Sequence, residues 1–481
     1  MAKEGSFATD AILLTVSKII GNLLTLVSAM LLARIRTLEE NGIYSELLLI
    51  INLATAIFML GLPNSINFFL AKAETREDKN RFLSLYYTLS TVLSVVLGIV
   101  LVALLPLWIR YFNDQNLAQF AFFLLLFPWA KVVIASVENV LVVLGKSKTI
   151  VWYRITNSIC LLLIILLIWV TNSSFTFYMV LYVAVEGAYA LAVYALAAKY
   201  TGRLHWNIDK QLIRSVLTFS IPLGLASIVG TLNIEIDKLM IGHFLTTEEL
   251  AIYSYASKEL PLTIVATSFT AVLMPRMVRL FQQNRNEEAV AIWRDVTTIS
   301  FSIMAFFGIG MAVFSREAMV ILYSEKYAPG SQVFAIYSLG LLLKCTYFGM
   351  VLNTTGKTKM VLYSSIGTLA LNCILNYILF QILGTVGPAL ATAISSLIMG
   401  LCQLLFSAKL TKIPFSLFFP WKNIAVLTLV NVALGAAFFS VHRLVFPGNW
   451  QAVVLAGLWA ISYVAIISVP GKKLWKRMRE V

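Results

Sequence analysis

Long apolar runs follow one another from end to end of the chain, separated by short polar segments. Most hold around twenty residues, enough for a helix to cross a bilayer core, and none shows the short alternation of a transmembrane barrel strand. The pattern predicts fourteen helical spans. Six cover roughly Ala11–Ala33, Ile43–Ala71, Phe82–Ile109, Leu117–Leu144, Thr149–Val170 and Phe175–Tyr200. Six more cover Leu212–Phe244, Leu250–Met274, Val296–Phe314, Ser331–Leu352, Met360–Leu383 and Gly387–Ala408, and two follow at Ile424–Phe446 and Gln451–Val469. The first run is too long for the apolar part of a signal peptide. Glu4 and Asp10, rather than a basic segment, precede it, so it is expected to stay as a span.

The polar segments repeat. Thr37-Leu-Glu-Glu-Asn-Gly-Ile-Tyr-Ser45 matches Thr246-Thr-Glu-Glu-Leu-Ala-Ile-Tyr-Ser254 at six of nine positions, at an offset of 209. Pro63 pairs with Pro275 at 212, Gly98-Ile99 with Gly308-Ile309 at 210, and Gly145-Lys-Ser-Lys148 with Gly356-Lys-Thr-Lys359 at 211. The unit is six spans. An even number returns the chain to its starting side, so the copies are parallel, an arrangement that marks transporters with a substrate site between the repeats. A duplicated channel or scaffold is the alternative. The expected organisation is an N-terminal six-helix lobe over 1–205, a second over 206–415, and two extra helices with a basic tail over 416–481.

Composition agrees with an all-α integral membrane protein: 59% of the 481 residues are hydrophobic and 12% charged, about half the charge of a soluble domain. Lys and Arg are in roughly fourfold excess on the side of both termini over the opposite loops, which hold Arg34, Arg36, Arg110, Arg316, Lys326 and Arg443. By the positive-inside rule both termini are cytoplasmic. The tail bearing Lys472, Lys473, Lys476, Arg477 and Arg479 suits the anionic inner leaflet and equally a plain stop-transfer anchor.

Twelve ionisable residues fall in the spans or close to their ends: Lys18, Lys131, Arg154, Lys238, Lys258, Lys344, Glu46, Glu138, Glu186, Glu235, Asp237 and Glu259. Each costs about 2.5–3.5 kcal/mol at a helix centre, so they are expected to face one another or a wet cavity. Glu235 and Lys238 share a helix face, as do Lys131 and Glu138, two turns apart. Lys258 and Glu259 point about 100° apart on a helix. Lys18, Arg154 and Lys344 have no acid one turn away, which makes them the leading candidates for unpaired cations. Complete neutralisation as structural pairs is the bland alternative. A cavity with stationed cations suits an anionic ligand such as a phosphate.

Little else carries chemistry. Cys160, Cys345, Cys373 and Cys402 sit in apolar runs, and His205, His243 and His442 are far apart, so no metal site or cofactor is expected. Gly145-Lys-Ser and Gly356-Lys-Thr lack the earlier glycine of a phosphate loop, with Val140 and Val351 in its place. No hydrolytic constellation is present, so no enzyme activity is expected. Trp108, Trp129, Trp152, Trp169 and Trp293 read chiefly as interface anchors, with stacking on sugar rings as the lesser reading. Pro222 and Pro261 interrupt the seventh and eighth spans and are candidate hinges. Gly384, Gly387 and Pro388 read as a turn. Met277–Asp295 reads equally as a surface-lying amphipathic segment or a linker.

Leu32-Ala-Arg34, Gly42-Ile-Tyr44, Gly61-Leu-Pro-Asn-Ser-Ile-Asn-Phe-Phe-Leu-Ala-Lys72, Ser220-Ile-Pro-Leu, Asp237-Lys-Leu-Met-Ile-Gly-His-Phe-Leu245, Ala251-Ile-Tyr-Ser-Tyr-Ala256 and Gly387-Pro-Ala-Leu-Ala-Thr-Ala-Ile394 resemble the polysaccharide exporter branch of the multidrug/oligosaccharidyl-lipid/polysaccharide superfamily. The resemblance covers nearly the whole chain. It implies a MATE-like fold and a Wzx-type flippase that carries an undecaprenyl-diphosphate-linked oligosaccharide across the bacterial plasma membrane by alternating access. It implies a cavity lined by cations, for which Lys18, Lys131, Arg154, Lys258 and Lys344 are the candidates. Glu138, Glu186, Glu235, Asp237 and Lys238 would then couple an ion, proton or sodium, or act in gating. The implied partners are the lipid-linked glycan, the bilayer, a polysaccharide polymerase and glycosyltransferases, and no nucleic acid. The count of fourteen spans equals that of lipid II flippases, whose last two spans help form a lipid groove. A lipid II flippase, a cation-coupled multidrug antiporter and a non-transporting scaffold for glycosyltransferases are the rival readings. Basic residues in the spans argue against the antiporter. Equal numbers of acids and bases leave a strongly cationic cavity as an inference.

Overall fold

The computed structural model describes residues 4–258, 260–445 and 448–479, with side chains described over 13–258, 260–445 and 448–467. Glu259, the end of the thirteenth predicted span at Phe446, and the side chains of Glu4, Asp10 and the basic tail lie outside the described residues. No strand occurs among the described residues. Thirteen stretches of them are long and apolar enough to cross a membrane. Packing divides the chain into two compact units, Met1–Ala251 and Ile252–Val481.

The first unit holds α1 (Glu4–Ile35), α2 (Leu38–Phe58), α3 (Leu62–Ser65), α4 (Arg76–Ala103), α5 (Leu105–Phe112), α6 (Ala121–Val143), α7 (Ser147–Thr171), α8 (Phe175–Thr201), α9 (Lys210–Phe244) and the start of α10 (Thr247–Ala256). Helix α1 packs on α7, α4 and α8 pack on α6, and α2, α3 and α5 pack on α9. The sequence repeat begins its second copy near α9, yet α9 packs within the first unit.

The second unit holds α11 (Ile264–Gln282), α12 (Asn286–Val313), α13 (Ser315–Leu322), α14 (Ser331–Gly340), α15 (Met350–Thr354), α16 (Thr358–Leu383), α17 (Val386–Thr411), α18 (Phe415–Phe418), α19 (Trp421–Leu444) and α20 (Asn449–Arg479). Helices α19 and α20 pack on α12. Their anchor is Trp459, fully buried among the rings of Phe306, Phe314 and Phe438. A Cβ on Gly435 would meet this indole at 2.8 Å, so the helix must be bare there.

The repeat is visible in local structure. Thr37 and Glu40 form a reciprocal capping box at the start of α2, and Thr246 and Glu249 form the same box at the start of α10. Short α5 followed by the 3-10 turn Gln115–Phe120 recurs as α13 followed by the 3-10 turn Glu325–Gly330. Gly145 and Gly356 both take positive φ, 67° and 76°, where each closes a helix end. Pro63 and Pro275, by contrast, do different work: Pro63 opens α3, whereas Pro275 lies inside α11.

Several expected spans are not continuous, the third among them, which breaks at Leu104 between α4 and α5. The second breaks at Leu60 and Gly61, both left-handed at φ 46° and 73°. The eighth breaks between α10 and the 3-10 turn Pro261–Thr263. There Pro261 stands first, where its missing N–H costs nothing, so it starts a new segment rather than kinking an old one. The tenth, predicted as one helix over Ser331–Leu352, is split into α14, the 3-10 turn Leu341–Lys344 and α15. That split accounts for thirteen long apolar stretches among the described residues where fourteen spans were expected.

The stretch Met277–Asp295 is neither a surface helix nor a linker. It is the end of α11, a tight turn and the start of α12, with Met277, Leu280 and Trp293 buried. Gly384, at φ 58°, makes the expected turn, whereas Gly387 and Pro388 already belong to α17.

Candidate functional site

Three helices of the first unit bring polar groups together among apolar neighbours. Asn52 on α2 lies between Lys131 on α6 and Glu235 on α9. Lys131 Nζ donates to Asn52 Oδ1. Asn52 Nδ2 donates to Glu235 Oε1 at 2.9 Å, and Lys238 Nζ donates to Glu235 Oε2 at 2.8 Å. The asparagine amide is therefore used at both ends, its orientation set by a cation on one side and a carboxylate on the other. Glu235 is buried and both its oxygens are occupied. Asp237, 1% exposed, accepts from the backbone N–H of Lys238 at 2.8 Å.

The charges in this network are unequally spent. The expected Glu235–Lys238 pair is present as an ion pair. Lys131 makes its one hydrogen bond to a neutral oxygen, although an ammonium has three donors. Its hydrogen-bond acceptor is thus neutral, and the Glu235 carboxylate lies beyond that amide.

The expected Lys131–Glu138 face does not form a pair. Glu138 instead ion-pairs with Arg154 at 2.7 Å. Arg154 was expected to stand unpaired because no acid lies one turn away. Its guanidinium also donates to Ser17 Oγ at 3.0 Å and to the Leu14 carbonyl at 3.4 Å. Its stem lies against Gly21, where a Cβ would meet it at 3.1 Å. Arg154 therefore ties α1 to α7 and α6, and the partner it needs comes from another helix.

Glu186 on α8 is buried and accepts from Asn157 Nδ2 of α7 at 3.0 Å. Lys18 is exposed on α1. Lys258 and Lys344, both exposed, belong to the second unit, and neither sits in a regular α-helix. Lys258 occupies the break after α10, above the Tyr255 ring at 5.8 Å, and its neighbour Glu259 lies outside the described residues. Lys344 closes the 3-10 turn inside the split tenth span. Non-helical backbone at membrane depth is tolerated where it is buried in protein or lines a cavity.

Pro222 lies inside α9, beside a close approach of backbones. A Cβ on Gly61 would meet Ser220 O at 2.4 Å, and one on Gly224 would meet the Leu60 carbonyl carbon at 2.4 Å. The break in the second span thus rests directly on the turn of α9 that Pro222 weakens. Pro128, inside α6 three residues before Lys131, is a second internal proline of this unit.

Sequence reading passed over Asn52 and Asn157. A single amide barely changes the hydropathy of a run, and its value lies in partners carried by other helices. Of the tryptophans, Trp152 and Trp169 are exposed as anchors would be. Trp129 donates to Tyr194 at 3.0 Å and Trp293 is fully buried.

Residues 7–281 match the polysaccharide biosynthesis protein family, and residues 222–378 match the MatE family. Among curated proteins, the capsular polysaccharide biosynthesis protein CapF of Staphylococcus aureus is 24% identical over 42% of this chain and 52% of its own length. The probable low-salt glycan biosynthesis flippase Agl15 of Haloferax volcanii is 25% identical over 50% of this chain and 54% of its own. The chain thus spans about half the length of these two relatives. Among solved structures, the lipid II flippase MurJ in an inward closed conformation superposes with a TM-score of 0.78 at 17% identity, over 96% of this chain and 99% of that one.

Proposed function

The chain belongs to the polysaccharide biosynthesis protein family of the multidrug/oligosaccharidyl-lipid/polysaccharide superfamily, and from this premise we propose that it is a flippase for a lipid-linked oligosaccharide. The substrate is an undecaprenyl-diphosphate-linked glycan destined for a surface polysaccharide. It crosses the bacterial plasma membrane, with both termini of the chain cytoplasmic, by alternating exposure of one site to the two sides. The protein does no covalent chemistry.

One observation carries the reading: Lys131, in the middle of α6, makes its hydrogen bond to a neutral amide oxygen rather than to a carboxylate. A diphosphate entering an apolar bundle must replace its lost water with donors, and charge-assisted hydrogen bonds are the strong ones. Two of the three Lys131 donors are available to it. Lys18, Lys258 and Lys344 are further candidate contacts, the last two on interrupted backbone of the kind that forms transporter sites. Glu235, Asp237 and Lys238 set the field in which Lys131 acts and, with Glu138 and Glu186, are the candidate ion-coupling or gating groups. Pro222 and the Gly61 break are candidate bending points, and the break before Pro261 is another.

The test is mass spectrometry of lipid-linked glycans in the native host after depletion of the protein and re-expression of Lys131→Met. Build-up of one polyprenyl-diphosphate glycan, with loss of surface polymer, supports the flippase and identifies the cargo. Build-up of lipid II alone transfers the reading to the wall precursor. An unchanged lipid pool with raised dye sensitivity replaces it with a drug antiporter. Full complementation by well-expressed Lys131→Met removes Lys131 from the site.

A further inference from the structure

A second group of buried charges lies apart from the Lys131 network, where α2, the segment after α5 and the start of α10 meet. Glu46 on α2 is 1% exposed and Asp114 is 7% exposed. Glu46 Oε1 accepts from Thr247 Oγ1 at 2.9 Å. Asp114 Oδ1 accepts from the Asn116 N–H at 2.8 Å and caps the 3-10 turn that follows. The remaining oxygen of each carboxyl, Glu46 Oε2 and Asp114 Oδ2, is buried with no donor against it. The 3-10 turn that Asp114 caps packs on α2, the helix that carries Glu46.

Glu248 on α10 is a third acid near Glu46. Asn116 occupies Glu39 at 2.8 Å. Arg36, at the end of α1, is turned to Glu40 and to the Ser173 carbonyl. His243 of α9 is stacked on Tyr111 and contacts its carbonyl at 2.9 Å. No lysine, arginine or histidine of α1, α4, α6 or α9 forms an ion pair with either carboxyl among the described residues.

Two ionised carboxylates are acceptors only, so nothing in this arrangement would satisfy their two inward oxygens. Like charges so placed do not both ionise. A single proton solves both problems, because one carboxyl becomes a donor to the other. We propose that Glu46 and Asp114 share one proton, forming a proton-binding site that latches the start of α10 to α2. The latch is tight: Gly42, one turn before Glu46, lies so near α10 that a Cβ would meet Thr247 O at 2.2 Å. The site belongs to the first unit alone, since the repeat offsets place Tyr255 opposite Glu46 and Ser324 opposite Asp114. When the proton leaves, two anions remain in one buried place, and the contact through Thr247 loosens.

The test needs no transport assay, so its failure is separable from that of the flippase reading. Infrared difference spectra of the full-length protein in lipid nanodiscs are recorded across the neutral range. The wild type is expected to show a protonated-carboxyl band that is lost in Glu46→Gln and in Asp114→Asn. The folded chain holds a proton that the unfolded chain has released, so the wild-type Tm falls as pH rises above the ordinary carboxylate range. Glu46→Gln, which keeps the shape of the protonated acid, flattens that slope. A wild type without the band, or a Glu46→Gln variant with the wild-type band and slope, overturns the proposal. Sodium raising the wild-type Tm at fixed pH, but not that of Glu46→Gln, also overturns it, since a metal cation would then fill the place of the proton.

Discussion

Gly98 and Gly308 hold the same packing position in different units. A Cβ on Gly98 of α4 would meet Leu125 O of α6 at 2.2 Å, and one on Gly308 of α12 would meet Ser338 O of α14 at 2.8 Å. Each glycine lets one helix touch the carbonyl of the next. Gly98→Ala is expected to force α4 from α6 and cost about 1–3 kcal/mol, in line with overpacking elsewhere. Gly367→Ala is the control, because nothing lies within 4 Å of its Cβ position. It should be neutral or gain about 0.5–1 kcal/mol as a helix-interior glycine is replaced. Thermal denaturation followed by size-exclusion chromatography separates the two.

Asn52→Leu removes the amide between Lys131 and Glu235 while leaving the Glu235–Lys238 pair at 2.8 Å. Lys131 then loses the oxygen it donates to, and a lysine in an apolar run costs about 2.5–3.5 kcal/mol at a helix centre. Lipid-linked glycan should accumulate, and Asn52→Gln should restore transport partly by returning an amide to the site. Wild-type glycan pools with Asn52→Leu would show that the relay does not matter for transport.

Lys344→Ala is expected to impair export and leave membrane insertion intact, because the residue ends a 3-10 turn in a split span rather than supporting a continuous helix. Surface polymer and membrane-fraction abundance are measured together. Normal export at normal abundance would remove Lys344 from the site.

Arg154 should behave differently. Its pairing with Glu138 and Ser17 joins three helices, so Arg154→Ala should lower Tm more than it lowers transport per folded molecule. Glu138 is 45% exposed, so a double-mutant cycle should assign the pair only about 0.2–1 kcal/mol. The rest of the Arg154 effect would come from its contacts with α1. A large transport defect at unchanged Tm would place Arg154 in the cavity after all.

Outside the spans, Asp209 caps α9, and its carboxyl is held below the usual range, first by the Leu212 backbone N–H and then by Arg81. A depressed folded value means that the contribution is present above the unfolded pKa and is lost as pH falls through the folded one. The window therefore lies below the ordinary value of 3.8. Asp209→Asn should lower Tm at neutral pH and bring the two proteins together at strongly acid pH. A constant difference at all pH values would show that charge is not what Asp209 contributes.

Much of this protein is local and therefore present in the chain before it folds. Runs of apolar residues set the spans, because a bilayer asks only for length and hydropathy. Thr37 with Glu40 and Thr246 with Glu249 mark helix starts, because a capping box is complete within four residues. Glu235 meets Lys238 because three residues bring them to one helix face. The glycines of the repeat were visible as landmarks, though not as the points where helices touch.

Tertiary structure decided which charges meet. Arg154 finds Glu138 and Ser17, and Lys131 finds Asn52, each through helices that sequence spacing does not bring together. It also broke the tenth span at Lys344, since hydropathy counts side chains and is blind to the path of the backbone that carries them. Burial makes an uncompensated charge expensive, so the final pairing follows from which helices pack side by side. One helix at a time, the chain shows where its charges are; only the packed bundle determines which of them are left for a ligand or a proton.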